Sequence, residues 1–196
     1  AIKTRWNEVI SFVMNSTDEE FKAKLSQYFF VDSLIDYYLF GLASCGLDAF
    51  GKNQIYATYD GQKWIASMYD MDSTWGLWWN GTSFVSATYA RNEFQDFKDG
   101  QGNLLYIRLE QLFYAEIQTR WAELRNGVLT IENIINRFER FTDIAPEGLV
   151  KEDYAATTAN GEFTGIPSKT ANNIQQIRKF ARERLVFADD AIAKLN

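Results

Sequence analysis

The chain has 196 residues and a formal net charge of −6, and its 46% hydrophobic content, with 16% aromatics, supplies the core of a single domain spanning 1–196. The acidic balance and scattered Lys and Arg argue against a nucleic-acid partner, which needs clustered cations to neutralise phosphate. Histidine is absent and Cys45 is the sole cysteine, so Cys/His zinc sites, Ser-His-Asp triads and Cys-His dyads each lack a required group and carboxylates must carry any acid–base chemistry.

Trp6, Val9, Ile10 and Val13 recur at helical spacing and predict a first helix with one apolar face. Ser16-Thr17-Asp18 followed by Glu19-Glu20 is a capping-box pattern, opening a second helix that presents Phe21, Leu25 and Tyr28. A third helix starts at Asp32 or Ser33, carries Leu34, Ile35, Tyr38, Leu39 and Leu42, and stops near Gly46. Cys45, beside that glycine, is read as a packing residue.

Gln54–Tyr59 and Lys63–Tyr69 are rich in aromatic and β-branched residues, and Asp60-Gly61 between them is a tight-turn dipeptide, so a β-hairpin is expected. Tyr69, Trp75, Trp78 and Trp79 form the densest aromatic group and are read as core or as a lid on it. Gly81–Gly102 reads as a long polar loop that carries Arg91, Glu93 and Asp96. Helical periodicity resumes from Asn103 to Arg125, then from a Thr130 cap through Phe141, and finally over Ile174–Leu195 after a polar stretch at Glu147–Thr170. No apolar run is long enough to span a bilayer. The sum is a mainly α domain with one β-hairpin.

Chemistry concentrates around the hairpin. Asp48, Asn53, Asp70 and Asp72 flank it, and pairing of the strands places Asn53 beside Tyr69–Asp70, which groups oxygen ligands suited to a hard cation such as Mg²⁺. Asp and Asn also crowd strand ends as Asx turns, so the grouping alone leaves both readings open. Asp48-Ala-Phe-Gly-Lys-Asn53 has the D-x-x-x-x-N form of a protein-kinase catalytic loop. No D-F-G triplet follows; Asp70-Met-Asp72-Ser-Thr-Trp-Gly76 stands in its place.

The runs VDSLIDYYLFGLASCGLDAFGKNQIY and KWIASMYDMDSTWG resemble the spore-coat-protein-H-like (CotH) kinases, over residues 16–80 and more loosely over the last helix. Gly46 before Leu47-Asp48, and Met68-Tyr69 where the family commonly has Pro-Trp, depart from the pattern. The resemblance implies the larger lobe of a kinase-like fold, Mg²⁺ or Mn²⁺ with ATP, and a protein acceptor with Ser or Thr hydroxyls. It makes Asp48 the catalytic group and Asn53, Asp70 and Asp72 the metal and cofactor ligands, in an extracytoplasmic, spore-surface or virion setting. Only five residues precede Trp6, so the expectation is a C-terminal-lobe fragment of a longer protein that does not turn over ATP alone. Two other classes stay in play: a non-catalytic binding module of a bacterial or phage surface protein, and a carbohydrate-active enzyme using Asp70-x-Asp72 or paired carboxylates.

Overall fold

A computed structural model describes residues 2–46, 48–71, 73–78, 84–89, 103–144, 146, 148–149, 152, 155–156 and 174–196. The elements are α1 (Ile2–Asn15), α2 (Asp18–Lys24) continued by a 3-10 turn (Leu25–Gln27), α3 (Val31–Ser44), β1 (Gln54–Ala57), β2 (Ile65–Met68), α4 (Leu104–Leu112), α5 (Tyr114–Asn126), α6 (Ile131–Ile144) and α7 (Ile174–Ala193). The mainly helical chain with one two-stranded antiparallel sheet agrees with the sequence reading.

The capping box forms as spelled. The Glu20 amide donates to Thr17 Oγ1 at 3.2 Å, and the Thr17 amide donates to Glu20 Oε2 at 3.3 Å. Thr17→Ala is expected to cost about 1 kcal/mol, read as a fall of about 2–4 °C in thermal midpoint. The joint between α1 and α2 is also held from α4. Arg108, whose side chain is buried, donates to the carbonyls of Val13 and Thr17, to Ser16 Oγ and to Asp18.

α3 is the central element, and its burial explains why. Leu34, Ile35, Tyr37, Tyr38, Leu39 and Ala43 are all buried, so the helix is apolar around most of its circumference and must be covered on several sides. β2, α4, α5 and α7 supply the cover. It begins at Val31, just ahead of the expected Asp32 or Ser33, and ends at Cys45, whose backbone is left-handed with φ +55°. The helix thus stops next to Gly46, as expected, with the left-handed cap on Cys45. Cys45 packs with Ala87 and Phe180.

Two expectations needed a wider view than local pattern. The apolar periodicity of 103–125 runs on without interruption, but the chain leaves the helix at Phe113 (φ −120°, ψ 25°). The bend lets α4 pack on α1 and α2 while α5 packs on α3 and α7, with the buried Phe113 ring edge-on to Phe21. The hairpin pairs Gln54 with Met68, Ile55 with Ser67, Tyr56 with Ala66 and Ala57 with Ile65, so its connection is longer than a tight turn at Asp60-Gly61. The reason lies in Trp64, whose amide donates to Tyr28 O and whose carbonyl accepts from Phe30 N–H, both at 2.9 Å. Its main chain is committed to the segment before α3. Asp60 closes the connection instead, and hydrogen bonds from the Lys63 and Gln62 amides hold its carboxyl below the usual carboxylate range.

Trp75 packs edge-on between Phe40 and Phe138, whereas Tyr69 is exposed. Trp79, Arg91, Glu93, Asp96 and the side chain of Phe141 lie outside the described residues.

Candidate functional site

The end of α3 sets the geometry. The last carbonyls of a helix have no partner further along it, and here those of Gly41, Leu42 and Ser44 are met by the cap or by other segments. The Cys45 amide donates to Gly41 O and Leu42 O, and the Gly46 amide to Gly41 O at 2.9 Å. Leu42 O also accepts from Arg184 Nε of α7 at 2.7 Å, and Ser44 O accepts from the Trp75 amide at 2.7 Å. The chain then coils around one oxygen: the amides of Gly51, Lys52 and Asn53 all donate to Asp48 O, at 3.3, 3.2 and 3.1 Å. This coil is what the D-x-x-x-x-N spacing builds.

Tyr37 anchors the coil from inside. Its hydroxyl lies within hydrogen-bond reach of Ala49 O and donates to Asn53 O at 2.8 Å. Burial raises the phenol well above the usual tyrosine range, so it remains a protonated donor. Asn103, just ahead of α4, donates to Phe50 O and Gln54 Oε1, both at 3.1 Å.

The hairpin register then delivers Asn53 to the far arm. Asn53 is buried, and its Nδ2 donates to Asp70 O at 2.8 Å. That bond fixes the amide orientation, because only the nitrogen can donate to a carbonyl. Among the described residues no hydrogen bond reaches Asn53 Oδ1. Asp70 is exposed and left-handed (φ +52°), and its carboxylate is engaged by none of the described residues. The following Met71 side chain lies against Gly46, where an added Cβ would come within 3.1 Å of Met71 Cε. The Asp70 arm therefore rests on the loop leading to Asp48.

Of the four residues expected at the site, Asn53 and Asp70 are in direct contact. Asp48 sits in the same coil as Asn53, and its carboxylate pairs with Lys52 Nζ at 3.0 Å, not with Asn53 or Asp70. Lys52 is largely solvated and Asp48 partly so, and the pair is a weak constraint. Asp72 lies outside the described residues. Among the described residues, no group of three or more His, Cys, Asp or Glu side chains is disposed to hold a metal ion. The available oxygens are a carboxylate and an amide.

Backbone strain marks the same region. Cys45, Asp70 and Trp75 are the non-glycine residues with positive φ among those described. Asp70 is itself a candidate residue and Cys45 and Trp75 flank the candidates in sequence, and such conformations persist only where surrounding contacts enforce them. A family model described as CotH kinase protein matches residues 3–188. The chain belongs to the CotH kinase family.

Neither a curated protein nor a solved structure matches the chain. Within this CotH kinase chain, sequence reading missed Tyr37, Gln176 and the bracing role of Arg184. A signal existed for the last: Arg184 interrupts the apolar stripe of Phe180, Ala181, Leu185 and Ala188 at a position that the helical period places on the buried side. Tyr37 is one aromatic among several in α3, and nothing local distinguishes it. As for a membrane, no helix among the described residues is long and apolar enough to cross one.

Proposed function

We propose that the chain is the metal-holding lobe of a kinase that transfers the γ-phosphoryl group of ATP to a Ser or Thr hydroxyl of a protein. The observation that carries this reading is the Asn53–Asp70 contact: with Nδ2 donated to Asp70 O, the amide oxygen and the neighbouring carboxylate are engaged by none of the described residues. Hard oxygen donors of this kind suit Mg²⁺ or Mn²⁺, which bind through one or two carboxylates, an amide oxygen, water and phosphate. Asn53 and Asp70 would hold the ion, with Asp72 as a further ligand. When bound, the ion neutralises charge on the nucleotide phosphates. Asp48 orients the acceptor hydroxyl and accepts its proton, a role for which its partly exposed carboxylate is accessible.

The test is a calorimetric titration with Mn²⁺, with and without ATP. Asp70→Asn and Asn53→Ala should each weaken binding by roughly tenfold or more, without loss of the folded state. Equal Mn²⁺ affinity in the wild type and both variants would sink the metal site. It would favour the non-catalytic module, whose contacts do not depend on these oxygens.

A further inference from the structure

We infer that α7 is a brace that sets the spacing between the Asp48 loop and the Asp70–Gly76 loop, with Arg184 as its principal positioning residue. This rests on the metal-site reading above.

Gln176, Phe180 and Arg184 follow at intervals of four and so share one stripe of the helix. Each meets a different part of the site. Gln176 Nε2 donates to Trp75 O at 3.1 Å. Phe180 lies against Gly76, where an added Cβ would come within 2.5 Å of its ring. Arg184 Nε donates to Leu42 O at 2.7 Å, and its Nη1 donates to Ala87 O and Tyr89 O at 3.1 and 2.8 Å.

These bonds close a ring. Arg184 holds the last turn of α3, Ser44 O two residues on accepts from the Trp75 amide, and Trp75 O returns to Gln176 on α7. Trp75 is thereby gripped on both sides of a left-handed backbone, with φ +54°. The loop bearing Asp48 leaves from one corner of the ring. The segment from Asp70 arrives at another.

The choice of arginine is informative. Arg184 is only 3% exposed, and its helix neighbours Ala181, Leu185 and Ala188 are buried apolar residues. Taking a guanidinium out of water is costly, and an apolar side chain would stabilise such a stripe at least as well. What an apolar side chain cannot do is reach carbonyls in two separate segments at once, which the planar fork of arginine does. One of those carbonyls lies in the last turn of α3, where the helix dipole favours a cation. Packing alone does not account for the residue; a demand for fixed loop spacing does.

The experiment compares wild type, Arg184→Lys, Arg184→Met and Gln176→Leu by Mn²⁺ titration and by amide hydrogen exchange. Expected for Arg184→Met is a folded protein whose amides at 42–53 and 73–78 exchange faster while those around Ile117 and Trp121 in α5 do not. Its Mn²⁺ affinity should fall about tenfold. Arg184→Lys, which offers a cation without the fork, should recover part of that loss. Gln176→Leu should shift affinity in the same direction by less, and it carries the test if Arg184→Met does not fold. Unchanged Mn²⁺ affinity in both Arg184→Lys and Gln176→Leu overturns the inference even where exchange is faster, since the contacts would then be structural only. Absence of Mn²⁺ binding by the wild type is a different failure, which removes the metal-site reading and the brace together.

Discussion

Gly76→Ala is expected to be the most damaging single-methyl change in the described chain. Gly76 has φ +91°, and a Cβ built there would lie 2.5 Å from Phe180 Cδ2 and 2.9 Å from both Phe180 Cγ and Gln176 Nε2. Left-handed backbone costs an L-residue about 1–2 kcal/mol, and overpacking a filled core adds about 1–3 kcal/mol. Phe180 is buried with Cys45 and Ala87, so the ring has little room to rotate away. The combined loss of about 2–5 kcal/mol should lower the thermal midpoint by roughly 4–20 °C. A second change that removes the obstacle discriminates the two causes. In Gly76→Ala with Phe180→Ala the steric part should vanish and the backbone part remain, so the double mutant should be more stable than the sum of the single losses. Strict additivity would mean that the ring is not what excludes a side chain at position 76.

Asp48→Asn is expected to separate chemistry from folding. Among the described residues its carboxylate makes one ion pair, with the exposed Lys52, and pairs of that kind contribute about 0–1 kcal/mol. The main-chain oxygen that gathers the amides of residues 51, 52 and 53 is untouched by the substitution. Melting and Mn²⁺ affinity should therefore stay close to wild type. Phosphate transfer from ATP to a Ser/Thr acceptor, assayed on the whole protein, should drop by about 10²–10⁴-fold, the usual contribution of a positioned base. An unaltered transfer rate would exclude Asp48 as that group, and a collapse of Mn²⁺ binding would mean it acts as a ligand instead.

Much of this architecture is readable from residue order, because the cues are local. The Thr17/Glu20 cap, the apolar face of α1 at Val9 and Val13, the Thr130 cap of α6 and the two strands depend on neighbours a few residues away. The approach of Asn53 to Asp70 also follows from local pairing, since once Gln54 faces Met68 the next residues outward must meet. What escaped reading is set by distant partners. The break at Phe113 exists because α4 must reach α1 and α2 while α5 reaches α7, both still touching α3, and the short pairing of the hairpin exists because Trp64 bonds to Tyr28 and Phe30. Arg184 and Tyr37 act on main-chain carbonyls, and any residue offers a carbonyl, so even where Arg184 breaks an apolar stripe no side-chain pattern says which segment it meets. Ile10 shows the converse limit: it shares the helical period with Val9 and Val13 but is exposed.

The bonds from α7 have a bearing on how the protein is made. Arg184 meets Leu42 across 142 positions of chain and Gln176 meets Trp75 across 101. During synthesis both loops are therefore out of the ribosome well before their partner helix exists, and contacts of such separation close late. A nascent chain stalled before Ile174 would carry the hairpin and α3 with Leu42 O still lacking its arginine. The scaffold can assemble as the chain grows, with the two loops already joined by the Asn53–Asp70 and Trp75–Ser44 bonds, but the brace across them is added only once α7 has been made.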